Sequence, residues 1–343
     1  MAVFYDSESL ADSPGLCTIR TVSPGKPAVF VVSIDLEMSW GAIHHGRPHI
    51  SEHFSNERQI VRDVLDMMEK YGIAGTWAIV GHLFLSTCAP EHGIKHTEII
   101  RPHYEWHPAD WYEMDPSSDV EHEPTWYAPD LVEAIRDCSM PQEIASHSFG
   151  HIIAGDPGCD REAFRSDLAA CVSVAKTENI DLRSFVFPRN SIDHVEILEE
   201  EGFSAFRGRP PDRLAHLPVW RRKLFRLIDT ISPRSSSGVW PSHSEGLVNV
   251  PQTYFFDPNS AVAKRLGGRA WSWLVRRRLR HAVRMGSLFH VWFHPDNLST
   301  HPDRGFRALE DLFREVSREI ENGRLENLTM GALAGRWSQP NVH

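Results

Sequence analysis

One stretch decides the fold: Val29-Phe30-Val31-Val32-Ser33-Ile34-Asp35-Leu36-Glu37-Met38-Ser39-Trp40-Gly41. Its β-branched and aromatic residues predict a fully buried strand, and a glycine nearby closes it. Asp35 and Glu37 stand two positions apart at the end of this strand, so both carboxylates point to the same face. Two acids on one face repel each other unless a cation lies between or beside them. The alternative is an ordinary strand end meeting solvent, and partners elsewhere in the chain decide between the two.

Length and composition describe a globular protein with ample material for a core. The chain has 343 residues, 41% hydrophobic and 24% charged, which suits a (β/α) barrel. The net charge of −10 argues against nucleic-acid binding. Five cysteines without a C-x-x-C pair indicate reduced thiols. The first residues lack the basic and apolar regions of a signal peptide, so a cytoplasmic protein is expected.

The order of predicted elements indicates one α/β domain. Residues 1–27 are polar and interrupted by Pro and Gly, which predicts an N-terminal arm. From residue 28 to 340, about seven predicted strands alternate with amphipathic helices, the first of them Glu57–Tyr71. This alternation predicts a parallel, irregular (β/α)7-type barrel with loop insertions at about 81–126 and 208–245.

The first predicted insertion is rich in His and aromatic residues. Aromatic side chains over a barrel mouth suit the apolar faces of sugar rings, which makes Trp106, Trp111 and Trp126 candidate substrate contacts. The alternative is that they pack the loop onto its own barrel. A second metal site among the histidines stays open, because their spacing matches no ligand pattern. These histidines are His82, His92, His96, His103, His107 and His122.

Polar residues follow several predicted strands, and parallel barrels carry their chemistry at that end. His147 and His151 have the greatest weight, since an i, i+4 spacing lets two imidazoles meet one ion if the intervening turn is helical. A carboxylate from elsewhere would complete a ligand set of two nitrogens and one oxygen and leave a position for water. The other residues at predicted strand ends are Asp35, Glu37, Arg189, His290 and His294.

In these motifs the chain resembles the NodB-like polysaccharide deacetylases, which are metal-dependent hydrolases on an irregular barrel. Ser33-Ile34-Asp35-Leu36-Glu37 is similar to the branch of that family with Asp-x-Asp or Asp-x-Glu, and the resemblance implies that Asp35 is the base and Glu37 a metal ligand. His147-Ser148-Phe149-Gly150-His151 matches the second family motif, whose histidines are the other two ligands.

The later family motifs are matched more loosely. Phe187-Pro188-Arg189-Asn190 stands for the third, and the resemblance implies that Arg189 orients Asp35. Phe293-His294-Pro295 stands for the last, with His294 as the acid and His290 as its rival. Trp40 and Asn190, which neighbour these motifs, join the loop tryptophans as candidate substrate contacts.

The chemistry implied by the resemblance is hydrolysis of an acetamide with a divalent cation, zinc before others. Asp35 would take a proton from water and His294 would protonate the leaving amine. An N-acetylated sugar in a glycan or glycan precursor is the expected substrate. Two alternatives remain: a hydrolase of a non-glycan amide or ureido bond, and a catalytically silent barrel that binds glycan or metal.

The segment 261–285 is predicted as a basic and partly apolar helix. It holds eight Lys and Arg residues, and no acidic residue stands between Asp257 and Asp296. On an acidic protein this asymmetry favours a phosphate-bearing partner, such as a phosphate-linked sugar, or peripheral contact with a membrane. The alternative is a barrel helix whose apolar side faces the sheet and whose arginines are solvated. No pattern in the sequence indicates the oligomeric state.

Overall fold

The computed structural model describes residues 27–45, 54–210 and 238–338. All but the last residue of the predicted arm 1–27 lies outside these ranges, as does the centre of the predicted insertion 208–245. The elements below are numbered within the described residues.

One ten-stranded sheet forms the centre of the fold. Seven strands run parallel in the order β7-β5-β4-β3-β2-β1-β9, which confirms the predicted parallel sheet of about seven strands, curled into a half-barrel. Three short strands extend it: β6 pairs antiparallel with β7, whereas β8 pairs parallel with β9 and β10 pairs parallel with the start of β1. The strands are β1 Ala28–Leu36, β2 Gly75–Ile79, β3 Gln142–Ser146, β4 Ser184–Val186, β5 Ala205–Arg207, β6 Ser242–Ser244, β7 Leu247–Asn249, β8 Tyr254–Phe255, β9 Leu288–Phe293 and β10 Leu325–Asn327.

Helices cover the outer face of the sheet, except the last one in the chain, which lies over one end of the inner face. The predicted helix Glu57–Tyr71 has those bounds in the structure, and it ends because Gly72 takes a left-handed conformation with φ of 66°. Its apolar positions face the sheet, as its periodicity predicts. The helices are α1 Glu57–Tyr71, α2 Pro129–Arg136, α3 Arg161–Thr177, α4 Val195–Glu200, α5 Ala261–Leu266, α6 Gly268–Met285, α7 Pro302–Glu321 and α8 Met330–Ser338.

The inner face of the half-barrel changes from apolar to polar along each strand. On β1, Val29 and Val31 lie in a small apolar cluster that α8 covers, whereas Ser33 and Asp35 follow on the same face. Strand β9 repeats this order from Leu288 to His290. The inner face is therefore filled with small apolar side chains at one end and offers buried polar groups at the carboxyl ends of the strands.

The predicted basic helix is two helices, since Gly267 at φ of 77° interrupts it. Trp271 and Leu279 are buried, and the guanidinium of buried Arg278 lies 5.1 Å from the centre of the Tyr254 ring. Packing on the barrel thus accounts for these buried side chains, whereas Trp273 is 49% exposed. Lys264, Arg265, Arg269, Arg277 and Arg284 are exposed.

Contact of this exposed face with a phosphate-bearing partner or a membrane surface stays a prediction. In the described ranges, no helix combines the length and the apolar character that a bilayer-spanning segment requires.

Candidate active site

The site lies at the carboxyl end of the half-barrel, where four strands deliver its side chains. Asp35 is the second-last residue of β1, and Glu37 directly follows that strand. His147 comes directly after β3, Arg207 is the last residue of β5, and His294 comes directly after β9. Because parallel strands end at one edge, side chains more than 250 residues apart in sequence lie together here.

Three imidazoles converge on one carboxylate oxygen. Oε1 of Glu37 lies 2.9 Å from Nε2 of His147, 3.2 Å from Nε2 of His151 and 3.2 Å from Nε2 of His294. Nδ1 of His147 lies 2.7 Å from the carbonyl oxygen of Val186, which accepts its hydrogen bond and turns Nε2 towards Glu37. The ligand atoms of Glu37, His147 and His151 all lie within 4.8 Å of one another.

This group fits a divalent cation. A backbone carbonyl orients a ligating imidazole through its second nitrogen, as in established metal sites. In a tetrahedral zinc site, neighbouring nitrogen and oxygen ligands lie about 3.4 Å apart, given bond lengths of 2.0–2.2 Å. The separations of 2.9 and 3.2 Å around Glu37 are near that value. Gly41 makes room for the carboxylate, because a Cβ there would lie 2.1 Å from Glu37 Oε2.

The i, i+4 spacing would let His147 and His151 meet one ion through a helical turn. In the structure the segment between them is not helical. Ser148 and His151 have φ of 65° and 57°, a region that non-glycine residues rarely adopt. Asp167 on α3 holds this segment by accepting hydrogen bonds from the backbone N–H groups of Phe149 at 2.8 Å and Gly150 at 2.9 Å. The tertiary contact, and not a helical turn, brings the two rings to Glu37.

A buried ion pair orients Asp35. Both oxygens of Asp35 accept hydrogen bonds from Arg207, each at 2.6 Å, and the two side chains are 2% and 1% exposed. Burial alone would raise the pKa of Asp35, but the Arg207 charge and hydrogen bonds outweigh it and hold this pKa below the ordinary value. Asp35 is therefore ionised and fixed in orientation.

The prediction that Arg189 orients Asp35 is wrong, since Arg207 takes that place. Arg189 is exposed and its guanidinium lies 5.9 Å from the centre of the Trp106 ring. Residues 187–190, which match the third motif, follow β4, whereas Arg207 ends the neighbouring strand β5. Asn190 of that motif does reach it, because its Oδ1 accepts a hydrogen bond of 3.3 Å from Arg207.

The two candidate acids differ in position and charge. His294 lies beside Glu37 and has Nε2 3.7 Å from Oδ2 of Asp35. Burial would lower its pKa, but the carboxylates of Glu37 and Asp35 raise it to about 10. His290 lies deeper, with Nε2 2.9 Å from Oγ of Ser33, and burial together with the Arg207 charge lowers its pKa to about 3. Only His294 combines a proton at neutral pH with a place next to both carboxylates.

Most of the predicted aromatic contacts are packing residues. Trp40, Trp111 and Trp126 are buried, and the indole of Trp111 donates a hydrogen bond of 2.7 Å to the carbonyl of Gly150. Burial favours the alternative, in which these three rings pack the connection onto its own barrel, and their contact with substrate stays a prediction. Trp106 alone of the four candidates is exposed, at 42%.

Sequence reasoning missed two residues that organise the site. Arg207 carried a usable signal, since it directly follows Phe203-Ser204-Ala205-Phe206, a short and mostly apolar run typical of a buried strand. Asp167 carried none, because a single acid within a long amphipathic helix is ordinary.

Another carboxyl that the sequence did not indicate is Glu57, at the start of α1. Burial, with the charges of Asp296 and Glu37, raises its pKa well above the ordinary value. Its surroundings therefore favour the neutral form of this carboxyl over the charged form.

Solved structures share this architecture. A protein assigned to the polysaccharide deacetylases from Mycobacterium smegmatis matches with a TM-score of 0.58 and 14% identity over 92% of each chain. One from Pseudomonas aeruginosa PAO1 matches with a TM-score of 0.60 and 9% identity over 93% of each chain. The PuuE allantoinase matches with a TM-score of 0.60 and 10% identity over 94% of each chain. No protein-family model and no curated protein matches the sequence.

Proposed function

We propose that this chain, which has the fold of the polysaccharide deacetylases, is a metal-dependent hydrolase of a non-peptide C–N bond. Its expected substrate is an N-acetylated sugar in a glycan or a glycan precursor. The fold supports a deacetylase only at the level of architecture, because the identities of 9–14% are low. The proposal therefore depends on the site.

One observation carries the proposal: the Nε2 atoms of three histidines surround one oxygen of Glu37, and Asp35 stands beside them. A silent barrel would have no need of a fixed, ionised Asp35 next to a protonated imidazole. Base, acid and three ligand-type side chains are all present in one place, so the catalytic interpretation accounts for more of the site.

Glu37, His147 and His151 would hold the cation. Bound there, a divalent ion such as zinc lowers the pKa of a coordinated water towards 7 and polarises the carbonyl of an acyl group. The remaining chemistry belongs to this chain's own side chains.

Asp35 accepts the proton of the attacking water. Its carboxylate is ionised, and Arg207 fixes its plane through two hydrogen bonds of 2.6 Å. Oδ2 faces His294 at 3.7 Å, so the base lies on the same side of the site as the acid. Water oxygen adds to the acyl carbon as this proton leaves.

His294 donates a proton to the leaving nitrogen. Without a proton the nitrogen would have to leave as an anion, which is a poor leaving group. The C–N bond therefore breaks once the nitrogen carries this proton. The products are a carboxylate and a free amine, which are acetate and an amino sugar for the expected substrate. His294 is 25% exposed and so lies on the open side of the site, where a leaving group can depart.

A second candidate is hydrolysis of a non-glycan amide or ureido bond. The allantoinase shares the fold as closely as the deacetylases do, with a TM-score of 0.60. Burial of Trp40, Trp111 and Trp126 also leaves only one of the four tryptophans predicted as sugar contacts exposed. Both observations favour including small amides in any test.

The experiment measures acetate and amine release from N-acetylated sugars, phosphate-linked N-acetyl sugars, and small amides and ureides. Zinc-loaded wild type is compared with Asp35→Asn and with Asp181→Asn, a control on an exposed surface pair. We expect release from one substrate class by wild type and the control and none by Asp35→Asn. Release from ureides without acetate would select the second candidate. Turnover by Asp35→Asn at the wild-type rate would contradict the assigned base.

A further inference from the structure

A second cluster of metal-ligand side chains lies in the long connection between β2 and α2. Among residues 85–128 the structure shows isolated β-bridges but no helix and no paired strand. Loops of this length in a compact domain need contacts of another kind to hold them. Four side chains from this connection meet inside it: His82, Cys88, His96 and Asp115.

The separations in this cluster match a tetrahedral site around one ion. Oδ2 of Asp115 lies 3.4 Å from Nε2 of His82, 2.9 Å from Nε2 of His96 and 3.4 Å from Sγ of Cys88. All four ligand atoms lie within 4.8 Å of one another. From zinc bond lengths of 2.0–2.3 Å, tetrahedral edges are about 3.4 Å between nitrogen and oxygen and about 3.6 Å between sulfur and oxygen.

Neighbouring groups aim the ligand atoms at a common centre. Nδ1 of His82 lies 3.2 Å from the carbonyl oxygen of Trp126, which leaves Nε2 for the cluster. That Nε2 is fully buried and makes no hydrogen bond within the described residues, which is unusual for a polar atom in a protein interior. Oδ1 of Asp115 accepts a hydrogen bond of 2.8 Å from the backbone N–H of Ser117, so Oδ2 faces the histidines.

We propose that His82, Cys88, His96 and Asp115 bind a structural zinc ion. Four protein ligands complete a tetrahedral site and leave no position for water, which distinguishes structural from catalytic zinc. Thiolate and imidazole together select zinc over magnesium or calcium, which prefer oxygen ligands. The spacings of 6, 8 and 19 residues between the ligands match no short motif, so only the folded connection brings them together.

The ion would fasten this connection to the catalytic segment. The backbone N–H groups of Gly81 and His82 donate hydrogen bonds of 2.8 and 3.0 Å to the carbonyls of Ser148 and Phe149. Those two residues lie between the histidines at the active site. Trp40, which follows Glu37 closely in sequence, packs its ring on His82 with centroids 4.4 Å apart. Zinc at the cluster therefore supports the backbone that carries three active-site side chains.

Cobalt reports on this site separately from the active site. Chelator-treated protein is loaded with Co²⁺, and its near-ultraviolet absorption is recorded. A thiolate bound to Co²⁺ gives a charge-transfer band there, and the active-site ligands Glu37, His147 and His151 contain no sulfur. We expect the band in wild type, in His147→Ala and in the control Cys138→Ser, which removes another half-buried thiol. Cys88→Ser should lose the band.

Elemental analysis of zinc gives the second readout. Cys88→Ser is expected to hold one zinc fewer per chain than wild type and Cys138→Ser, whereas His147→Ala retains the cluster ion. If Cys88→Ser does not fold, Asp115→Asn serves, since an amide oxygen can still accept from Ser117. No charge-transfer band in wild type, or a band and zinc content unchanged in the cluster variants, would overturn the proposal. Loss of zinc in His147→Ala alone would support the active-site proposal and refute this one.

Discussion

The ion pair between Asp35 and Arg207 gives the most quantitative prediction. In Arg207→Met, a side chain of similar length replaces the guanidinium, and the Asp35 carboxylate stays buried without its partner. Breaking a buried pair in this way costs about 3–5 kcal/mol of unfolding free energy, because an uncompensated charge is left in the interior. This value applies because the pair is buried: the Arg207 and Asp35 side chains are 1% and 2% exposed and share two hydrogen bonds of 2.6 Å.

A double-mutant cycle isolates that contribution. Arg207→Met also loses contacts with Ser33, Asn190 and the Trp292 ring, which are independent of Asp35. Asp35→Asn in the Arg207→Met background removes the unpaired buried carboxylate, so part of the lost unfolding free energy should return. We expect a coupling free energy of about 2–3 kcal/mol between the two positions, at the upper end for residues in contact.

The assay is urea denaturation at pH 7 of wild type, both single variants and the double variant. The same cycle on Arg165 and Glu200, an exposed pair, serves as control and should show no measurable coupling. Additive effects at Asp35 and Arg207 would refute the conclusion that Arg207 is the partner that fixes the base.

Three further predictions follow from the site and its surroundings. His294→Ala should lower kcat about 10²–10⁴-fold, as loss of a general acid does, and His290→Ala far less; equal losses in steady-state kinetics would contradict the assignment. Trp111→Ala should lower the unfolding free energy by about 3–5 kcal/mol because the ring is buried. Trp106→Ala should lower it much less, because this ring is 42% exposed, and should raise KM; the reverse pattern in stability would contradict the assignment. Burial raises the pKa of Asp167 from 3.8 to about 6, so this carboxyl binds more protons in the native state than in the unfolded chain and by itself removes about 3 kcal/mol of stability as pH rises from about 4 to about 6; the unfolding free energy should fall by that much more in wild type than in Asp167→Asn over this range, and equal slopes would refute it.

Periodicity predicted the parts of the fold in which one residue pattern dominates. The helix Glu57–Tyr71 and the strand from Ala28 to Leu36 follow directly from the spacing of their apolar residues. The same spacing places Asp35 on the inner face. Strands β6 and β8 have three and two residues, too few for a pattern, and their positions depend on partners distant in sequence.

The candidate site could be predicted only where its residues stand in local motifs. Asp35, Glu37, His147, His151 and His294 lie together at one end of the half-barrel, and each lies at the end of a strand or within five residues after it. The role given to Arg189 failed because two arginines follow neighbouring strands and sequence cannot tell which side chain turns inward. The sequence leaves a second metal site among the loop histidines open, but it does not indicate Cys88 and Asp115, since the four side chains converge only through an irregular connection.

The central claim is that Glu37 binds a cation and Asp35 acts as base, and zinc-dependent recovery of turnover tests it most directly. Chelator-treated wild type, Glu37→Gln and Asp35→Asn are titrated with buffered zinc while acetate or amine release is measured on the substrate found for wild type. The site predicts that wild type recovers fully, that Glu37→Gln requires far more zinc, and that Asp35→Asn stays inactive at any zinc concentration although it binds the ion. Recovery of Glu37→Gln at the wild-type zinc concentration, or wild-type turnover that survives chelation, would contradict it.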